Sequence, residues 1–108
     1  MTVDETILEV YQAGPLTVVG FGGKKILDEV SVAHCRQELL DLIETHQCRE
    51  LAFDLTGMTL LPSGLLGVIA SIRNLGVEIH LYNPSDDIRD VLEITQLNSL
   101  VQVHELEV

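Results

Sequence analysis

Between Leu51 and Ile72 the chain passes from a short apolar run, through a turn and a proline, into a second and longer apolar run. The first run, LAFDL over 51–55, is too short for a stable helix and carries one acid, Asp54, near its end; it reads as a strand buried on both faces. Thr56-Gly57 is turn chemistry, and a short apolar loop follows. Pro62-Ser63-Gly64 then opens an almost wholly apolar segment, and the pattern predicts a helix over 63–75. Gly76 falls just past its end, where a left-handed C-cap favours glycine. Ser63 is expected as the N-cap, its hydroxyl accepting a backbone N–H two or three residues on. A serine at the mouth of a helix, at the end of a central strand, suits a phosphate. It makes a poor active site unless acid, base or metal residues surround it.

The other elements fall around this unit. Residues 7–12 and 16–21 read as two strands joined by Ala13-Gly14-Pro15, an N-terminal hairpin. Gly22-Gly23-Lys24-Lys25 is a loop that lacks the residue order of a phosphate-binding P-loop. Asp28 or Ser31 is expected to cap a helix whose apolar face is Val32, Cys35, Leu39, Leu42 and Ile43. Val77 to Tyr82 alternates as a half-buried strand does. Asn83 is expected as the cap of a third helix with Pro84 at its first position, Asp86 and Asp87 in its first turn, and Ile88, Val91, Leu92 and Thr95 on one face. Leu100 to His104 reads as a final strand, or as a short helix flowing into one. The order ββαβαβαβ predicts a single α/β domain over residues 1–108: a mixed sheet, an N-terminal hairpin, and alternating helices packed against it.

Composition narrows the function. With 108 residues and 46% hydrophobic content the chain can bury a core without staples. The core must come from Leu, Val and Ile, since there are two Phe, two Tyr and no Trp. A net charge of −11 repels nucleic acid and anionic membrane surfaces, so neither is expected as a partner. No secretory signal or membrane-inserting run is evident, and a cytoplasmic setting is expected. Cys35 and Cys48 lack metal or redox spacing and read as reduced thiols packed as small hydrophobes. His34, His46, His80 and His104 stand in unrelated contexts and read as solvated or capping residues. No HExxH or GxSxG motif occurs. Catalytic residues, metal ligands and cofactors are therefore not expected, and the chain does not read as an enzyme.

Ser63 keeps a second reading besides the cap. A phosphoserine there would bring nearly two negative charges to a helix end whose dipole and free N–H groups favour anions. The helix that follows carries Leu65, Leu66, Val68, Ile69 and Ile72, too many for one narrow stripe. It is buried on most sides, or it offers part of that surface to another protein.

The run from Asp54 to Ile69, DLTGMTLLPSGLLGVI, resembles the motif D-L-S-G-V-x-F-[IM]-D-S-[ST]-G-L-G-V-L of the STAS domain family, in particular its anti-sigma factor antagonists. Gly76 to Leu97 is similar to the family's following stretch, including Asn83-Pro84-Ser85, Arg89, Val91-Leu92 and Thr95. Leu27-Asp28 resembles the pair that opens the family's first helix. The resemblance implies a non-catalytic partner switch. Ser63 matches the serine that an anti-sigma factor with serine kinase activity phosphorylates, and a phosphatase resets it. Asp28, Asp54, Pro62, Gly64, Leu65 and Leu66 would line the partner-binding surface; Asp54 could equally tie off the strand end. Pro62 stands where the family has aspartate, Gly64 where it has a small hydroxyl residue and Leu65 where it has glycine. Two alternatives stay open: a constitutive STAS subunit of a larger complex such as an ATPase-driven transporter, or a nucleotide- or anion-sensing module using the Ser63 helix start. Whether the chain forms a homodimer is also left open.

Overall fold

Thr17 locks the turn that follows β1 (Glu9–Gln12). Its side chain is fully buried, and its hydroxyl donates to the Gly14 carbonyl at 2.9 Å while accepting from the Gly14 N–H at 3.3 Å. The turn joins β1 (Glu9–Gln12) to β2 (Leu16–Gly20), an antiparallel pair. The carbonyl of Pro15 accepts from the N–H groups of Arg49 and Glu50, which fastens the hairpin to the strand that follows the first helix. The computed structural model describes residues 8–21 and 29–105. Ile7, Asp28 and the loop 22–25 lie outside them.

The remaining elements are α1 (Glu29–His46), β3 (Glu50–Asp54), α2 (Ser63–Asn74), β4 (Glu78–Tyr82), α3 (Asp86–Ile94), a 3₁₀ turn (Leu97–Ser99) and β5 (Gln102–His104). The sheet runs β1-β2-β3-β4-β5, with every pair after the hairpin parallel. The expected mixed sheet with an N-terminal hairpin is what forms. In the stretch expected over Leu100 to His104 the strand forms at Gln102–His104, and the short helical turn that leads towards it, Leu97–Ser99, lies just before that stretch.

Side chains alternate across each strand, which sorts the sheet into two unlike faces. Val19, Leu51, Phe53, Ile79 and Leu81 meet Val32, Cys35 and Leu39 of α1, Leu65, Leu66, Val68, Ile69 and Ile72 of α2, and Ile88 and Leu92 of α3 in one apolar core. Phe21 stacks on Phe53 with ring centroids 6.1 Å apart. Cutting any one of these large side chains to alanine costs about 2–5 kcal/mol. Val18, Ala52 and His80 point the other way, in a row set by the parallel register. The next row on that polar face is Gly20, Asp54, Tyr82 and His104.

Two expected caps shift. At α1, of the two candidates Asp28 and Ser31, Ser31 lies inside the helix and Asp28 lies outside the described residues. Pro62, extended at φ −66° and ψ 151°, is the N-cap of α2, so Ser63 is the first helical residue and caps nothing. Proline is placed to do this because its carbonyl alone is needed, and that carbonyl accepts from Leu65 and Leu66. At α3, Ser85 takes the cap: its hydroxyl accepts from the Ile88 N–H at 3.1 Å. Asn83 instead turns left-handed (φ 58°) to leave β4, and Pro84 precedes the helix rather than opening it. Gly76, at φ 94°, ends α2 as expected.

Candidate functional site

The site is built on the loop 55–62, which carries the chain from the end of β3 to Ser63. Its backbone is tied at three levels. The Leu55 N–H donates to the Tyr82 carbonyl at 2.9 Å, continuing the sheet. Asp54 accepts from the Thr56 N–H at 3.0 Å, and Met58 closes a turn onto Leu55 with Gly57 at φ 87°. Asn83 donates to the Thr56 hydroxyl at 3.1 Å, and the Ser85 hydroxyl donates to the Thr59 carbonyl at 2.9 Å. Met58 and Leu61 are buried as apolar anchors, while Leu60 stays 42% exposed beside the site. The β4–α3 corner therefore holds the loop, and the loop fixes where α2 begins.

At that start Ser63 is exposed, and its hydroxyl has no hydrogen-bond partner among the described residues. No side chain caps α2 and no acid lies in its first turn, so the helix itself does nothing to offset its positive end. Gly64, also exposed, packs closely on α1: a Cβ there would stand 3.3 Å from Val32 Cγ1. Leu65 and Leu66, expected on the partner-binding surface, are 0% and 7% exposed. Helical geometry turns both into the core with Val68, Ile69 and Ile72, so they are removed from that surface. Up to Ser71, α2 leaves outside a smooth stripe of Ser63, Gly64, Gly67 and Ser71; Arg73 and Asn74 are exposed at its C-terminal end. Position 67 and position 71 were not singled out from the sequence. Their signal was the i, i+4 spacing of small residues from Ser63, masked by the apolar residues between them.

Asp54 is spent on structure. Besides Thr56 it accepts the phenol of Tyr11, which reaches across Gly20 from β1. Desolvation, then the charges of Asp54 and Glu9, raise the Tyr11 pKa above its ordinary value of 10.0. Asp28 falls outside the described residues.

The histidines do not all stand apart. His34 and His46 are exposed on α1. His80 and His104, read as unrelated, are brought together by the parallel pairing of β4 with β5. Nδ1 of His80 lies 3.0 Å from Nε2 of His104, and Nε2 of His80 lies 3.1 Å from a carboxylate oxygen of both Glu50 and Glu78. Tyr82 stacks on His104 at 4.6 Å between ring centroids. Sequence alone could not join positions 24 residues apart without the strand register.

The STAS domain family model matches residues 8–107, and the chain belongs to that family. Its fold is similar to that of the anti-sigma factor antagonist SpoIIAA in its unphosphorylated form, with a TM-score of 0.75 and 17% identity over 93% of this chain and 86% of that one. The Bacillus cell fate determinant SpoIIAA in its phosphorylated form gives 0.67 and 16%, over 93% and 91%. An anti-sigma factor antagonist from Mycobacterium paratuberculosis gives 0.74 and 16%, over 90% and 83%. No curated protein matches the sequence. Among the described residues no helix is long and apolar enough to cross a membrane.

Proposed function

We propose that this STAS domain is an anti-sigma factor antagonist: it binds an anti-sigma factor that has serine kinase activity, and phosphorylation of Ser63 ends the binding. The observation that carries the reading is an exposed hydroxyl, without a hydrogen-bond partner among the described residues, on the first residue of a helix that no side chain caps. The partner would supply the catalysis. Ser63 Oγ attacks the γ-phosphorus of ATP, its proton passes to a base on the partner, and ADP leaves. A phosphatase would return the hydroxyl.

The surface around Ser63 supports the switch. The stripe Ser63, Gly64, Gly67 and Ser71 lets a partner helix or loop approach the α2 backbone closely, with Leu60 as an apolar contact at one end. A phosphate, with about −1.5 to −2 charges at neutral pH, fits the helix end but not a dry, close contact. The fold would tolerate it; the partner would be displaced. Pro62 and Gly64 belong to this surface, Leu65 and Leu66 to the core beneath it.

One observation favours a second reading, a constitutive subunit of a larger assembly. Pro62 leaves no carboxylate beside Ser63, so a kinase that reads an acid there finds none. The same stripe would then hold a permanent partner.

Affinity capture with the wild type, Ser63→Ala and Ser63→Asp tests the switch. The wild type and Ser63→Ala should hold the anti-sigma factor and Ser63→Asp should lose it, with phosphate found on Ser63 by mass spectrometry. Equal recovery by all three, without phosphate on Ser63, would refute the switch and support the permanent subunit.

A further inference from the structure

The geometry points to a divalent transition-metal site on the polar face of the sheet, formed by Glu50, Glu78 and His80, with His104 orienting His80. The site is independent of the Ser63 switch. Ser63 follows the C-terminal end of β3, whereas Glu50 opens that strand.

Three features build it. Glu50 and Glu78 are register partners at the starts of adjacent parallel strands, and His80 lies two residues beyond Glu78 on the same face. One ligand atom from each residue falls within 4.8 Å of the other two. The imidazole Nε2 lies 3.1 Å from each carboxylate, close to the separation of roughly 3.4 Å between ligand atoms around a tetrahedral zinc with bonds of about 2.0–2.1 Å. The three donors need only small side-chain rotations to share one ion.

The far side of the ring has the support that metal-bound histidines have. His80 Nδ1 faces His104 Nε2 at 3.0 Å, and the His104 ring is held by the stack on Tyr82. When Nδ1–H of His80 donates to His104, the Nε2 lone pair is left pointing between the two carboxylates. An outer partner of this kind fixes both the tautomer and the ring plane. The His80 side chain is 12% exposed, so its direction is set by packing; the carboxylates, 49% and 51% exposed, leave the outer coordination position to water or to a partner's ligand.

Without a metal, two carboxylates converge on one ring nitrogen that carries at most one proton. No Lys or Arg pairs with Glu50 or Glu78 among the described residues. A divalent ion would neutralise both acids at once, on a chain whose net charge of −11 already attracts cations. One imidazole and two carboxylates suit Zn²⁺, Co²⁺, Ni²⁺ or Mn²⁺. They suit Ca²⁺ and Mg²⁺ less, which favour all-oxygen shells, and Cu⁺ less, which favours sulfur.

The test is calorimetric titration of the chelator-stripped full chain with ZnCl₂, repeated with CoCl₂ while following the visible d–d bands. The expected result is one ion per chain at micromolar affinity, with Co²⁺ bands of tetrahedral intensity. Glu50→Gln, Glu78→Gln and His80→Ala should each weaken binding by more than about tenfold, and His104→Ala by about tenfold as an outer partner. The double substitution His34→Ala/His46→Ala should leave it unchanged. Circular dichroism of each variant separates loss of the site from loss of the fold; the Glu→Gln changes keep shape and should melt normally. No saturable binding, fewer than one ion per chain, or binding that Glu78→Gln and His80→Ala leave intact would overturn the site and leave His80 as a hydrogen-bonded link between two strands.

Discussion

Tyr11 lies across Gly20: its phenol occupies the space a side chain at position 20 would fill, and reaches Asp54 on the next strand. The bulge in β1 makes this possible. Val10 pairs with Val19 and Gln12 with Val18, so Tyr11 is the extra residue and its side chain is re-aimed over the sheet. Gly20→Ala should therefore destabilise the domain by about 1–3 kcal/mol through overpacking. Tyr11→Ala in the same chain should recover part of that loss, a coupling that urea denaturation of both single variants and the double variant would detect. Additive losses would mean that the ring does not occupy that space.

The same contact has a pH signature. The Tyr11 pKa is raised by desolvation first and by the Asp54 and Glu9 charges next, so the folded state holds the phenolic proton more tightly than the unfolded chain. This contribution is complete below the ordinary value of 10.0 and is lost as pH rises through the higher folded value. Tyr11→Phe should flatten the decline of stability above that pH, as measured by denaturant midpoints across the alkaline range.

Most of this architecture was legible in local pattern, because the strands LAFDL and VEIHLY and the helix after Ser63 carry their periodicity in consecutive residues. The caps were less legible. Pro62 and Ser63 are both acceptable at a helix start, and only the loop pinned by Ser85, Thr59 and Asn83 decides which comes first. The surface of α2 was misread for the same kind of reason. Leu65 and Leu66 are apolar in any setting, and their burial depends on α1 and the sheet lying where they do. The His80–His104 pair was beyond reach, since no short-range signal fixes the register of β5 on β4.

Gln96 turns the chain from α3 into the 3₁₀ turn with φ 64° and ψ 16°. A residue with a Cβ pays conformational strain there that glycine avoids. Gln96→Gly should stabilise the domain by up to about 1 kcal/mol, less the entropy glycine adds to the unfolded chain. Gln96→Val should destabilise it, since a branched side chain fits the left-handed region worst. Thermal midpoints of the two variants should shift in opposite directions.

Cys35 is fully buried between α1 and the sheet, and burial, with a smaller contribution from Glu38, pushes its thiol pKa up to about 12. The reactive thiolate is thus depleted at any ordinary pH. In a Cys48→Ser background, alkylation of Cys35 should track global unfolding and accelerate steeply with denaturant. Fast labelling in native buffer, unchanged by denaturant, would show that α1 opens on its own.

Ser63→Asp separates the cost to the fold from the cost to the partner. α2 has no acid in its first turn and no side-chain cap, so a carboxylate at its first residue should interact favourably with the helix dipole. The gain should be about 0.3–1 kcal/mol, shrinking with added salt. If Ser63 is the switch, the same substitution abolishes capture of the partner, so one variant becomes more stable and less competent to bind. Gly67→Arg is the companion measurement. A Cβ at position 67 meets nothing within 4 Å, so the added side chain should project outward and block the stripe, and replacing glycine in a helix interior should if anything raise stability, by up to about 1 kcal/mol. Loss of the partner by both variants, with neither unfolded in a thermal melt, would locate the contact on the exposed side of α2. Retention by Gly67→Arg would move it towards Leu60 and the loop that precedes the helix.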